Sequence, residues 1–408
     1  MSVPTDEPAL VGLYRQPDFV LERGEGCRVR DRDGRSWLDF TSGIAVTALG
    51  HGHPVVAEAI RAALDRGLIH TSNLYRTGPG EALARALVEA SGLDRAFFCN
   101  SGAEGVEAAI KFARRRAREL GGAEKHRITA LRGAFHGRLF GSLALTDRPD
   151  YRTPFEPLMP GVDFVDPFDS DELEAGLDPA RTAALFAEPI QGEGGVRPLP
   201  EQLLQRLRAI TAERGIALVL DEIQCGLGRT GELFAHTHAG IRPDILVLAK
   251  PLAGGLPMGA VLLDRAVADS LHPGDHGTTF GGGPLVASAA LAVLEVVRDP
   301  DFLTGVRARG GHLETLLRGL ADRHPGRVRE VRGRGLMLGL ELTAPAAPVV
   351  AEARRQGLLL VGAGERVIRF LPPLTVTTAE LDEGLAILEA ALSETEPTTV
   401  HTTGGEPE

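Results

Sequence analysis

From Arg95 to Lys250 the chain alternates short, nearly continuous apolar runs with longer amphipathic stretches. RAFFCN (95–100), RITAL (127–131), AALFAEP (183–189), IALVLDE (216–222) and DILVLAK (244–250) are too short for helices and predict strands buried on both faces. Between them the apolar period lengthens. Val106, Ala109, Ile110 and Ala113 share one face of a helix, and LLQRLRAITAERG (203–215) reads as another. Strand, helix, strand at this spacing predicts a mainly parallel sheet covered on both faces. Ligands of such sheets gather beyond the carboxyl ends of the strands. Asn100, Glu188, Asp221 and Lys250 close four of these runs and are expected on one rim.

The pattern differs at both ends. Residues 1 to about 20, with Pro4, Pro8 and Pro17, read as an arm, and CRVRDRDGRSWLDF (27–40) as a hairpin turning at Asp33-Gly34. Beyond residue 300, VREVRGRGLMLGLEL, GLLLVGAG and VIRFLPP read as strands of a smaller α+β unit. Thr377 and Glu380 predict a capping box for a last helix with Leu381, Leu385, Leu388 and Leu392 as its buried stripe. The expected division is an arm and hairpin (1–45), a large domain (46–298), a small domain (299–393) and a polar, disordered tail (394–408).

Length supports that division, because 408 residues exceed one comfortable hydrophobic core. Composition is that of an ordinary globular protein, with 43% hydrophobic and 24% charged residues. A net charge of -11 leaves no global basic field for nucleic acid or anionic membrane. The run Arg114-Arg115-Arg116 is a local exception, expected to be a solvated helix face. Three cysteines make no disulfide framework. With no visible signal peptide and no apolar run of membrane length, a cytoplasmic enzyme is expected.

Four segments carry candidate chemistry. DILVLAKPLAGGLPMGA places Lys250 at a strand end before a Gly-rich turn. Lysine is the side chain that forms an imine with a carbonyl cofactor, although a lysine so placed is usually a solvated amine. In IALVLDEIQCGLGRTG, Asp221 puts a carboxylate on the same rim. Such an anion keeps a pyridinium nitrogen protonated, and the ring then acts as an electron sink; the ordinary alternative is a cap. GLGRTG also matches a dinucleotide-binding pattern, but no strand–turn–helix context surrounds it. FFCNSGAEGVEAAIKFARR runs from a strand through Ser101 and Gly102 into a helix. Helix-start amides can cradle a phosphate, or the serine is simply a cap. In GAFHGR, Phe135 could stack on a flat ring and Arg138 could fork onto a carboxylate; taken alone they read as core and surface. His51/His53 and His236/His238 lack acidic or cysteine partners at zinc-like spacing, so no metal is expected.

Taken together, GIAVTALGHGHP, NSGAEGVEAAIKFAR, AFHGR, EPIQGEGGV, DEIQCGLGRTG, AKPLAGG, HGTTFGGGPL and VIRFLPP resemble, in order, the class-III aminotransferases. These are enzymes of the pyridoxal-phosphate-dependent transferase fold type I. Within them the likeness is to acetylornithine and ornithine aminotransferases, and also to their relatives in carrier-protein-linked lysine biosynthesis. It spans about Gly24 to Leu392.

The resemblance implies roles. Lys250 would be the Schiff-base lysine for pyridoxal 5'-phosphate. Asp221 would pair with the pyridine nitrogen and Gln224 with the ring hydroxyl. Ile223 and Phe135 would sandwich the ring, and Ser101, Gly102 and Ala103 would cradle the phosphate. Thr279 would reach the phosphate of a partner subunit, making the site a property of a homodimer, with Thr278 near the substrate. Arg138 and Arg369 would hold substrate carboxylates. Glu193 would pair with Arg369 when the donor's uncharged end enters and swing away for 2-oxoglutarate. Ala103, Val106 and Gly283 stand where the family usually has Thr, Asn and Asn. The lost Ala103 hydroxyl is worth about 1 kcal/mol.

The implied reaction is ping-pong transfer of a terminal amino group, from N-acetylornithine or a close omega-amino acid, to 2-oxoglutarate. It gives a semialdehyde and glutamate and belongs to arginine biosynthesis. Carrier-linked lysine or ornithine, free ornithine, 4-aminobutyrate and diaminobutyrate are the rival donors. An acidic carrier would need a basic entrance. An aminomutase of the same fold and a non-catalytic pyridoxal-phosphate-binding regulator are more remote.

Overall fold

A computed structural model describes residues 10–395 of the chain. The predicted hairpin forms as β2 (Arg28–Asp31) and β3 (Ser36–Asp39), with β1 (Leu21–Glu25) antiparallel to β2. Its turn is fixed by the Asp31 carboxylate, which accepts the amides of Asp33 and Arg35. Ahead of β1, residues 10–20 form no strand.

The central sheet has seven strands: β4 (Arg95–Cys99), β5 (Arg127–Leu131), β6 (Val162–Val165), β7 (Thr182–Ala187), β10 (Ala217–Asp221), β11 (Ile245–Leu248) and β12 (Gly259–Leu263), in the order β4-β12-β11-β10-β7-β5-β6. It is parallel except for β12, which runs antiparallel to both neighbours. The five strands read from the sequence are present. β6 and β12 were not foreseen.

Period-two alternation places the core on both faces. Leu218 and Leu220 of β10 join Leu204 and Leu207 of the helix Glu201–Glu213. Ala217 and Val219 join Val106, Ala109, Ile110 and Ala113 of the helix Gly102–Gly121. Val106 is fully buried there, so an apolar residue suits the position where the family usually has Asn.

Between β7 and β10 lies a small hairpin of β8 (Ile190–Gln191) and β9 (Arg197–Pro198). The C-terminal part builds an antiparallel sheet of β13 (Val328–Arg334), β14 (Met337–Leu342), β17 (Val367–Phe370) and β16 (Val361–Gly362), in the order β13-β14-β17-β16. One further strand, β15 (Leu358–Leu359), pairs with β3 and stitches the N-terminal hairpin to this region. The last helix, Thr378–Glu394, opens on the Thr377–Glu380 capping box, and all four leucines of its stripe are buried. It runs through Glu394; residues 396–408 of the expected tail lie outside the described residues.

One expectation is corrected. Arg114, Arg115 and Arg116 are not a solvated face but half-buried. Arg114 donates to the carbonyls of His126 and Pro160, and Arg115 pairs with Glu119. The helix lies deep enough that Arg114 returns to nearby backbone while Arg115 and Arg116 turn to the carboxylates of Glu119 and Asp244. No helix among the described residues is long and apolar enough to cross a membrane.

Candidate active site

A cavity of about 650 Å³ opens beyond the carboxyl ends of the central strands. Its lining includes Asn100, Glu188, Asp221 and Lys250, the four residues that close the apolar runs. Ser101, Gly102, Ala103, Phe135, Arg138, Ile223 and Gln224 line it as well.

Asp221 ends β10, a strand buried throughout, so its carboxylate leaves the sheet only at the rim. One oxygen accepts the Ile223 amide at 3.0 Å, and the other meets Nδ1 of His136 at 2.8 Å. His136 is almost wholly buried and its Nε2 has no partner. Burial alone would lower its pKa, but the Asp221 bond prevails and raises it. His136 was not singled out in the sequence, although it sits between Phe135 and Arg138 in AFHGR.

Lys250 begins a single 3-10 turn, Lys250–Ala253, just past β11. Burial pulls its pKa below the usual lysine range, and the Arg369 charge adds to this. Less proton affinity means more free amine, the form that attacks a carbonyl.

Ser101 caps the helix Gly102–Gly121, its hydroxyl accepting the Glu104 amide at 3.2 Å. The serine is therefore a cap and lines the cavity as well; its hydroxyl proton remains available to an anion beside the helix-start amides. Gly102 packs closely under the Ile223 side chain. A Cβ there would lie 2.7 Å from Cδ1 of Ile223.

Glu193 and Arg369 meet beside Gln224. The Arg369 guanidinium, 1% exposed, donates from Nη1 to Glu193 Oε1 at 2.7 Å and to Gln224 Oε1 at 2.9 Å. Arg369 reaches this point from β17; it does not itself line the cavity but meets the lining at Gln224. Arg138 is exposed and lies over the Tyr151 ring, 3.4 Å from its centroid.

The HGTTFGG loop is less central. Thr278 accepts from Asn100 at 3.2 Å. Thr279 is exposed and does not line the cavity of its own chain. Gly283 is the N-cap of the helix Pro284–Val297, which has no side-chain cap. Of the histidines considered for metal, His51 bonds Asp39 and His236 bonds Glu222.

Glu188 is a second residue whose weight the sequence did not show. Its carboxyl accepts the amides of Phe135 (2.9 Å) and Gly192 (3.1 Å). Burial pushes its pKa up to about 7, with Asp221 adding to the rise and His136 opposing it.

These residues fit a phosphorylated pyridine aldehyde. The buried Asp221 carboxylate suits a pyridinium, the helix start a phosphate, Phe135 and Ile223 a flat ring, and Lys250 the aldehyde.

Comparison with known proteins agrees. The chain is 47% identical to the acetylornithine aminotransferase of Gloeobacter violaceus over 388 residues, 95% of this chain and 96% of that one. Its identity to the acetylornithine aminotransferase of Methanocaldococcus jannaschii is 45%, covering 94% and 95%. Among solved structures, the N-acetylornithine aminotransferase of Stenotrophomonas maltophilia superposes with a TM-score of 0.81 at 38% identity, covering 93% and 97%. The ornithine aminotransferase of Toxoplasma gondii ME49 gives 0.90 at 33%, covering 94% and 92%. Residues 13–392 match the model of the aminotransferase class-III family, and the chain belongs to that family.

Proposed function

We propose that the chain moves the terminal amino group of N-acetylornithine to 2-oxoglutarate, giving a semialdehyde and glutamate in arginine biosynthesis, with pyridoxal 5'-phosphate held at Lys250. The observation that carries this reading is the Glu193–Arg369 pair beside Gln224, at the edge of the cavity that Lys250 and Asp221 line.

When bound, pyridoxal phosphate supplies a carbonyl for amine exchange and a ring that takes up the electron pair freed at the donor carbon. Asp221, oriented by His136 and the Ile223 amide, would hold a proton on the ring nitrogen. Ser101, Gly102 and Ala103 take the phosphate at the helix start. Phe135 and Ile223 would hold the ring between them, and Gln224, which lines the same cavity, would take the ring hydroxyl. Lys250 would hold the cofactor's carbonyl until a donor amine is present. Its free amine then moves the proton that the donor carbon loses, a task suited to a lysine whose pKa burial has lowered.

Arg138 takes the donor carboxylate, leaving Tyr151 to do so. Thr278 lies nearby. Glu193 covers the Arg369 charge while the donor's uncharged end is present, and turns away when 2-oxoglutarate brings a second carboxylate. Deleting the Glu193 carboxylate separates this idea from its rivals. With Glu193→Ala the donor half-reaction is expected to weaken while that of 2-oxoglutarate is spared; equal losses in both would refute the gate.

A homodimer with shared sites fits the surface. Ile69, Leu74, Tyr75 and Phe280 are exposed and neighbour one another through the His70–Phe280 ring contact and the Asn73–Thr278 bond. Exposed apolar clusters of this kind mark interfaces. Thr279, away from its own cavity, would serve the partner's phosphate. The proposed units remain 1–45, 46–298 and 299–393, in a cytoplasmic protein. A carrier-linked donor is disfavoured, because Arg114 and Arg115, two of the arginines nearest to forming a basic patch for an acidic carrier, are bound to the protein's own backbone and acids. Assayed with 2-oxoglutarate, N-acetylornithine should give a higher kcat/KM than ornithine, 4-aminobutyrate or a carrier-linked amine. A better rate with any of these would displace the substrate assignment.

A further inference from the structure

The loop Gly192–Val196 carries Glu193 between β8 and β9, and it is fastened at several points. Glu188 accepts the Gly192 amide, Arg148 donates to the Glu193 carbonyl, and Arg369 binds the Glu193 carboxylate. A fourth fastening comes from outside the cavity. Arg332 of β13 donates from Nε to the Gly195 carbonyl at 2.8 Å.

Arg332 is a built contact. Its side chain is 8% exposed and lies between two acids, with Nη1 2.5 Å from Glu341 and 2.5 Å from Glu330. Gly195 has φ +105, and a Cβ there would come within 3.0 Å of Arg332 Nη2. The next residue, Val196, is fully buried at φ 53. A β-branched residue in the left-handed region is strained and persists only where its surroundings over-determine it. Such strain gathers at switches and ligand clamps.

We propose that Arg332 is a positioning residue for substrate choice: it pins the loop backbone so that Glu193 meets Arg369 as a turning side chain on a stationary main chain. This rests on the reading that Glu193 and Arg369 sort the two substrates. Releasing the Gly195 carbonyl lets the loop relax from its strained form, and Glu193 then covers Arg369 less well. The loss falls on the donor, whose uncharged end needs the arginine hidden. The dicarboxylate uses the arginine bare and is spared.

The test uses the pyridoxal-phosphate-loaded enzyme and follows each half-reaction by cofactor absorbance. Arg332→Met is expected to slow the donor half-reaction about tenfold, the scale of one charge-assisted hydrogen bond. The 2-oxoglutarate half-reaction should stay within about twofold. Arg332→Lys keeps the charge between Glu330 and Glu341, so it carries the test if methionine unfolds the sheet, and it should show a smaller loss of the same sign. Combined with Glu193→Ala, either variant should add nothing further, because both act through one contact. Equal losses in both half-reactions, or effects that add to those of Glu193→Ala, would overturn the proposal. If Glu193→Ala is itself unselective, the gate reading fails; if it is selective and the Arg332 variants are not, only this proposal fails.

Discussion

Glu188 shows how one residue's surroundings decide its charge. Buried between the Phe135 and Gly192 amides and close to Asp221, its carboxyl titrates near 7 rather than the ordinary 4.5. The folded protein therefore keeps a proton that the unfolded chain gives up between those values. Stability must fall as pH rises through that window. Glu188→Gln keeps the shape and removes the ionisation. Its melting temperature should decline less than that of wild type between about pH 4.5 and 7, a difference worth roughly 1–3 kcal/mol. Parallel declines in the two proteins would show that Glu188 does not titrate there. His136 shifts the same way: its raised pKa gives stability that is full below the ordinary histidine range and lost as pH rises through the folded value. The sequence placed Glu188 on the rim but gave it no role, and His136 did not stand out at all. A glutamate at a strand end and a histidine in AFHGR carry no mark of the partners they find in space.

At the scale of elements, the helix start after β4 illustrates what sequence can say. Strand, Ser-Gly and an amphipathic helix are local features, so they were legible, as were the capping box at Thr377 and five of the seven central strands. β6 and β12 were hidden for physical reasons. β6 is an edge strand whose Asp163 pairs with Arg127 on β5, which breaks its apolar run. β12 follows a Gly-rich turn and is antiparallel, so no crossover helix announces it. The ridge of Ile223 against Gly102 is also a tertiary fact. It predicts that Gly102→Ala, whose new methyl would fall 2.7 Å from Ile223, displaces the ring clamp. Cofactor affinity should drop about tenfold or more, measured by fluorescence titration, while far-UV circular dichroism stays that of wild type. Unchanged affinity would mean that Ile223 yields at no cost.

For the whole molecule, the two sheets meet where β17 of one brings Arg369 to the rim of the other. That meeting was legible only through the resemblance, because 145 residues separate Arg369 from Gln224. Thr279 extends the same argument to a second chain. If it serves the partner's site, mixing inactive Lys250→Ala protein with Thr279→Ala protein at limiting cofactor should regenerate one intact site per hybrid dimer. Activity should then exceed the sum of the two parents, and activity equal to that sum would mean each chain works alone.

All of this depends on where the cofactor is attached. Borohydride reduction of the pyridoxal-phosphate-loaded protein, followed by proteolysis and peptide mass mapping, reads that position directly. The account predicts a single pyridoxyl adduct, on Lys250 in the segment DILVLAKPLAGG. An adduct on another amine, or none at all, would contradict it.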